Sequence, residues 1–148
     1  MKKFILRRTL RVGLACALLS LGLGASSISA EVVAVVSTKS PISTLSKGQI
    51  IDIFLGRRTH YPDGTLAVPI DQTEGSAERN EFYNKIADMS AAQVKAFWSK
   101  IIFTGRGQPP LAAATSLETR KLLAANPNAI SYIDQSLVDS SLRVVIVR

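Results

Sequence analysis

Thiols and imidazoles are nearly absent from this sequence: of its 148 residues, one is a cysteine, Cys16, and one is a histidine, His60. Cys16 sits inside the apolar run Val12–Leu23 near the N-terminus. The chain beyond it can form no internal disulfide and has neither a cysteine nucleophile nor a thiolate metal site. His60 lies in the turn-rich stretch Arg57–Gly64 and is expected to be exposed. With no second imidazole, zinc ligation would fall to carboxylates alone, so no metal and no cofactor is expected. Repeats and low-complexity tracts are also missing, and the one linker-like stretch, Thr104–Pro110, is too short to separate two domains.

Acidic residues are the minority, 11 against 18 basic ones. Five of the basic residues, Lys2, Lys3, Arg7, Arg8 and Arg11, fall within residues 1–30, and none of the acidic ones do. That segment reads as a signal peptide: a basic start, the run Val12–Leu23, then small residues from Gly24 to Ala30. The run is shorter than the roughly 20 residues a membrane span needs, so no stable membrane span is expected after processing. Cleavage after Ser27, Ser29 or Ala30 fits the pattern. Arg7-Arg8-Thr9-Leu10 has a twin-arginine look, but Arg11 interrupts it, which favours the general secretory route. Leucines continue past Cys16, at Leu18, Leu19, Leu21 and Leu23, and this argues against lipid attachment there. The expected location is periplasmic. Residues 31–148 keep 13 basic and 11 acidic side chains, a net charge of +2. Their basic pairs Arg57-Arg58 and Arg120-Lys121 are isolated, so no nucleic-acid-binding face is expected.

The rest reads as one domain of alternating elements. Val32–Val36 is a continuous β-branched strand. Ser46 and Gln49 form a capping box opening a helix with Ile50, Ile53 and Phe54 on one face, and Gly56 suits its end. The strand Thr65–Ile70 follows Pro62-Asp63-Gly64, and Asp71–Gly75 is expected to be a polar turn. Ser76 is placed to cap the helix Ala77–Ala87, whose apolar stripe is Phe82, Tyr83 and Ile86. Ser90 and Gln93 open a third helix, with Val94, Phe97, Trp98, Ile101 and Ile102 expected in the core. Thr115 and Glu118 open a fourth, ended at Asn126-Pro127. Ile130–Ile133 and Leu142–Val147 complete the strands. The expected architecture is α/β: about four strands in a mixed sheet, flanked by about four helices.

A helix start beyond a strand end is either an ordinary strand-to-helix turn with a capping serine or, through its free N–H groups and the positive end of a dipole, a place that favours an anion. Arg79, three residues after Ser76, either reaches back toward the turn or stands solvated beside Glu74 or Glu81. Arg106, between Gly105 and Gly107, is either a second anion contact or part of a flexible connector. Asp71 and Glu74 could pair as acid and base, yet no nucleophile with an orienting base accompanies them. Catalysis is not the expectation.

Leu45-Ser46-Lys47-Gly48-Gln49-Ile50-Ile51-Asp52-Ile53-Phe54-Leu55-Gly56, Tyr61-Pro62-Asp63-Gly64, the Gly75-Ser76 turn and Asn126-Pro127-Asn128-Ala129-Ile130-Ser131-Tyr132 occur in an order that resembles the substrate-binding proteins of phosphate ABC transporters. The resemblance runs from about Val32 to Val147. It implies one lobe, the second, of a type II periplasmic-binding-protein-like fold, with inorganic phosphate or another small oxyanion as ligand. It also implies an ABC permease as partner, or, where ligand binding has been lost, a sensor protein or a second copy. The family's turn reads Arg-x-Asp-Gly-Ser-Gly-Thr, so the arginine position falls on Gln72, the variable one on Thr73 and the aspartate on Glu74. Gly75 and Ser76 match, whereas Ala77 and Glu78 replace the closing glycine and threonine. Gln72, Thr73, Glu74, Gly75, Ser76, Arg79 and Arg106 are therefore the candidate ligand contacts, in a weak or partner-completed site.

Overall fold

The computed structural model describes residues 31–148; the expected leader and Cys16 lie outside the described residues. Strand β1 (Val32–Ser37) shows why a run of valines takes an interior place. Val32, Ala34 and Val36 face one layer of helices while Val35 faces the other, so both sides of the strand are covered and polar alternation is not needed. β5 (Ala129–Asp134) and β6 (Leu142–Val144) flank β1, both antiparallel to it. β3 (Val68–Gln72) runs parallel to β5 and to the edge strand β4 (Leu111–Ala113). The sheet is mixed, with order β4-β3-β5-β1-β6.

The strand expected over Leu142–Val147 divides. Val145 is buried, and its N–H donates to the Ala34 carbonyl at 2.9 Å. Beyond it, β7 (Ile146–Val147) leaves the sheet and pairs in parallel with β2 (Thr44–Leu45). β4 had no sequence signal of its own. It is three residues long, it follows Pro109-Pro110, and two of its side chains are exposed.

The helix starts follow the capping chemistry. Both halves of the capping box form at Ser46 for α1 (Lys47–Phe54) and at Ser90 for α3 (Ala91–Phe103). In α4 (Ser116–Ala125), Thr115 caps Glu118 N, but the Glu118 carboxylate turns to Ala114 N at 2.7 Å instead of Thr115 N. Gly56 closes α1 at φ 66°, where a side chain would be strained, and a Cβ there would lie 3.2 Å from the Trp98 ring.

Helix α1 and helix α2 (Ala77–Ala87) cover one face of the sheet, with α3 outside them against α2, and Leu123 of α4 packs on the other face with Val35, Ile70 and Ile133. The α3 stripe is only partly core. Val94 and Trp98 are buried and Phe97 and Ile101 half-buried, but Ile102 is 47% exposed. α3 packs chiefly on α2 and not on the sheet, so the side that carries Ile102 stays open.

An aromatic group ties the helices to the sheet. Phe82 of α2 stacks on Tyr132 of β5 with centroids 3.9 Å apart and planes 7° from parallel, and it meets Phe54 of α1 at 4.8 Å. Offset and edge contacts add to the burial of so much ring surface. Phe82→Ala should lower unfolding stability by about 3–5 kcal/mol, measured by urea denaturation. A loss below about 1 kcal/mol would mean that the cluster is not what holds α2 on the sheet.

Candidate functional site

β3 does not stop at Ile70. Asp71 and Gln72, expected in a polar turn, extend the strand and are buried, at 3% and 7% exposure. They can do so because the fold satisfies their polar atoms. The Asp71 carboxylate accepts from Gln72 N at 2.8 Å and from the Tyr132 hydroxyl on one oxygen, and from the Tyr83 hydroxyl at 2.9 Å and Arg79 Nε at 3.1 Å on the other. The Gln72 side-chain amide donates to the Tyr132 carbonyl at 2.8 Å. With those partners, burial costs the strand little.

Arg79 takes the first of its two expected places, reaching back from the start of α2 toward the end of β3. It is not solvated, and its first partner is Asp71, not Glu74 or Glu81. Glu74 instead pairs with Lys95 at 2.9 Å, and Glu81 accepts from Val32 N at 3.1 Å. The reason is local. Gly75 turns the chain at φ 88°, and Ser76 caps α2 by accepting from Arg79 N at 3.2 Å. That sets Arg79 as the third residue of the helix, where side chains lean back toward the N-terminus and so toward the end of β3. The Arg79 guanidinium lies 5.1 Å from the centroid of the Tyr83 ring, one turn further on. Asp71 and Glu74 are not an acid–base couple: one is locked inside this network, the other forms an exposed ion pair.

The electrostatics follow from burial. Burial, and then the Asp71 charge, push the Tyr83 and Tyr132 hydroxyls well above the usual tyrosine range, so both stay protonated donors. Burial works against the charge on Arg79, but Asp71 outweighs it and the guanidinium pKa rises. The Lys95 hydrogen bond lowers the Glu74 pKa.

Beside this network lies an open pocket of about 280 Å³. Asp71, Gln72 and Ala112 form its sheet side, Glu74 and Arg79 its turn side, and Pro109 and Pro110 its rim. α3 contributes Lys95, Trp98, Ser99 and Ile102, the i, i+3, i+4, i+7 face of a helix. Arg79 spends only Nε on Asp71, and its two terminal nitrogens make no hydrogen bond among the described residues. The Trp98 indole N–H lies near the Tyr83 hydroxyl but has no partner in hydrogen-bonding geometry.

Of the seven candidate contacts, Gln72, Glu74 and Arg79 line this pocket. Thr73, Gly75 and Ser76 form the adjoining turn, with the Thr73 hydroxyl 3.4 Å from the Ala113 carbonyl. Arg106 lines a second pocket of about 200 Å³ with Arg57 and Phe97, on the other side of Trp98. Asp71, Lys95 and Ser99 line the pocket in addition to the expected contacts. The helical spacing from Lys95 to Ile102 is the signal that points to Lys95 and Ser99, because it puts both on one face with Trp98 and Ile102.

Removing one partner from a buried ion pair strands the other. Asp71→Asn should cost about 3–5 kcal/mol, whereas Arg79→Gln made on top of it should cost far less than Arg79→Gln alone. Urea melts of the two single variants and the double variant test this. Additive losses would mean that the two side chains do not act as a pair.

No protein-family model matches the sequence, and no curated protein matches it. Solved structures do. An ABC-type phosphate transport receptor from Vibrio cholerae superposes with a TM-score of 0.62 at 17% identity, over 78% of this chain and 45% of that one. A protein from Clostridium perfringens, described as a phosphate ABC transporter substrate-binding protein and solved with bound phosphate, gives 0.60 at 26% identity, over 78% and 44%. PstS from Borrelia burgdorferi gives 0.60 at 11% identity, over 79% and 47%. The chain therefore spans less than half the length of each of these proteins, and its mixed α/β fold is that of a single lobe of the phosphate-transport binding proteins.

Proposed function

We propose that this protein is an exported, non-enzymatic binding lobe that holds a small oxyanion, with inorganic phosphate as the first candidate, in the pocket between the end of β3 and α3. One observation carries the reading: the Arg79 guanidinium, buried and fixed through Nε on Asp71, leaves its terminal nitrogens unpaired in the pocket wall. A guanidinium held on one edge keeps a planar fork free for an oxyanion. Gln72 stands where the resemblance puts the family's arginine, and Arg79 takes over its chemistry from the opposite side of the turn. The Ser76 hydroxyl accepts from Arg79 N and still has its own proton to donate.

Export and a periplasmic location rest on residues 1–30. Among the described residues no helix is long and apolar enough to cross a membrane, and no cluster of His, Cys, Asp or Glu is arranged to hold a metal. An ABC permease is the partner to which the resemblance leads. One lobe covers one side of a ligand, so the affinity is expected to be modest unless a partner completes the site.

A second reading, a protein-interaction module, draws on a different observation. Ile102, Phe103 and Leu111 are 47%, 92% and 63% exposed at the α3 end and on the edge strand β4. Apolar groups at an unpaired sheet edge suit a docked chain.

Thermal unfolding with phosphate, against chloride at equal ionic strength, separates the two readings. Phosphate should stabilise the protein beyond chloride, by about 2.7 kcal/mol at 100 times its dissociation constant and in proportion to the logarithm of its concentration above that constant. Arg79→Lys keeps a cation for Asp71 but loses the fork, and should weaken phosphate binding by roughly 10- to 150-fold, the equivalent of a charge-assisted hydrogen bond. Each variant is compared with and without ligand, so that changes in fold stability cancel. A wild-type protein that phosphate stabilises no more than chloride does, yet self-associating in sedimentation, would leave the interaction module as the reading.

A further inference from the structure

We infer that the ligand for which this pocket is shaped is an organic oxyanion, an anionic head carrying a compact apolar or aromatic group, and that inorganic phosphate occupies only part of it; this rests on the oxyanion reading of the Arg79 site. Three observations lead there.

The first is charge. The pocket's ionisable groups cancel, because Arg79 is paired with Asp71 and Lys95 with Glu74. A multiply charged inorganic ion gains little net attraction from such a lining, and the nearby carboxylates oppose a second negative charge. What remains is directional: the terminal nitrogens of a side chain about nine-tenths buried, its exposure being 9%, with no partner among the described residues. They suit one anionic head.

The second is the wall. Trp98, Ile102, Pro109, Pro110 and Ala112 give the pocket an apolar lining beside the guanidinium. Trp98 is held in place by burial, and Ile102 is 47% exposed on the open side of α3. A small inorganic ion leaves that surface wet, whereas an apolar substituent covers it.

The third is size. A cavity of about 150 Å³ accommodates benzene, and this pocket is about 280 Å³. A six-membered ring and an oxyanion head fit together, with the head on Arg79 and the ring against Trp98 and the proline pair. Sites for small organic molecules have this character, mostly apolar with a few fixed polar groups.

Phenylphosphonate and inorganic phosphate are the paired probes, titrated into the mature protein at equal ionic strength and followed by calorimetry and thermal unfolding. Phenylphosphonate should bind at least tenfold more tightly than phosphate. Ile102→Ser, at an exposed position, should lower phenylphosphonate affinity about threefold or more relative to phosphate affinity, so that the preference between the two probes narrows. Arg79→Lys should weaken both. Phosphate binding as tightly as phenylphosphonate, or Ile102→Ser without effect on the difference, overturns the organic ligand while the oxyanion site stands. Saturable binding of neither probe overturns both.

Discussion

The carboxylate of Asp71 is the point on which the structure turns. It is nearly out of contact with solvent, and four donors meet it from four parts of the chain: its neighbour Gln72, the start of α2 through Arg79, the next turn of α2 through Tyr83, and β5 through Tyr132. A charge at that depth is tolerable only with such partners. Meeting them fixes the height of α2 on the sheet and the offset of β3 from β5. The aromatic bodies of the same two tyrosines fill the core on either side of Phe82. One polar group and one apolar cluster thus share side chains, and neither can shift without the other.

Seen from that carboxylate, the motifs by which the chain resembles phosphate-transport proteins are largely structural. The Tyr61 hydroxyl donates to the Asn128 carbonyl at 2.9 Å, joining the turn before β3 to the entry of β5. Asn126 accepts from Asn128 N at 2.9 Å and shapes that entry. Tyr132, which ends the motif, donates to Asp71. These contacts reproduce a lobe. They say little about a ligand, and so a likeness in fold at 11% to 26% identity coexists with a turn whose arginine position holds Gln72.

The capping residues made the helices legible. Ser46, Ser76, Ser90 and Thr115 each cap where the sequence places them, and the valine run of β1 is a buried strand. Such signals are local, and local chemistry is what a sequence displays. The end of β3 was hidden because Asp71 and Gln72 are polar, and polar residues normally mark a turn. Their partners lie as much as 61 positions away, and no window along the chain can show that. Arg79 was legible as to place but not as to partner: the spacing from Ser76 put it near the turn, but eight residues and a chain reversal separate it from Asp71. β4 was invisible, since three residues behind two prolines earn their strand geometry only from β3.

The same network that stabilises the lobe also limits what its pocket can do. An arginine without a carboxylate would be a stronger lure for anions, but at 9% side-chain exposure it would be an uncompensated buried charge. Pairing through Nε resolves the conflict, because it uses one edge of the guanidinium and leaves the other. The cost is net attraction: Asp71 screens what Arg79 could draw in, and Glu74 does the same to Lys95. Selectivity in such a site has to come from shape and from the directions of a few donors, because long-range charge is already spent. The lining of Trp98 and the proline pair is therefore not incidental to the polar groups that share the pocket. It supplies the apolar contact area that a charge-neutral pocket needs if it is to hold anything.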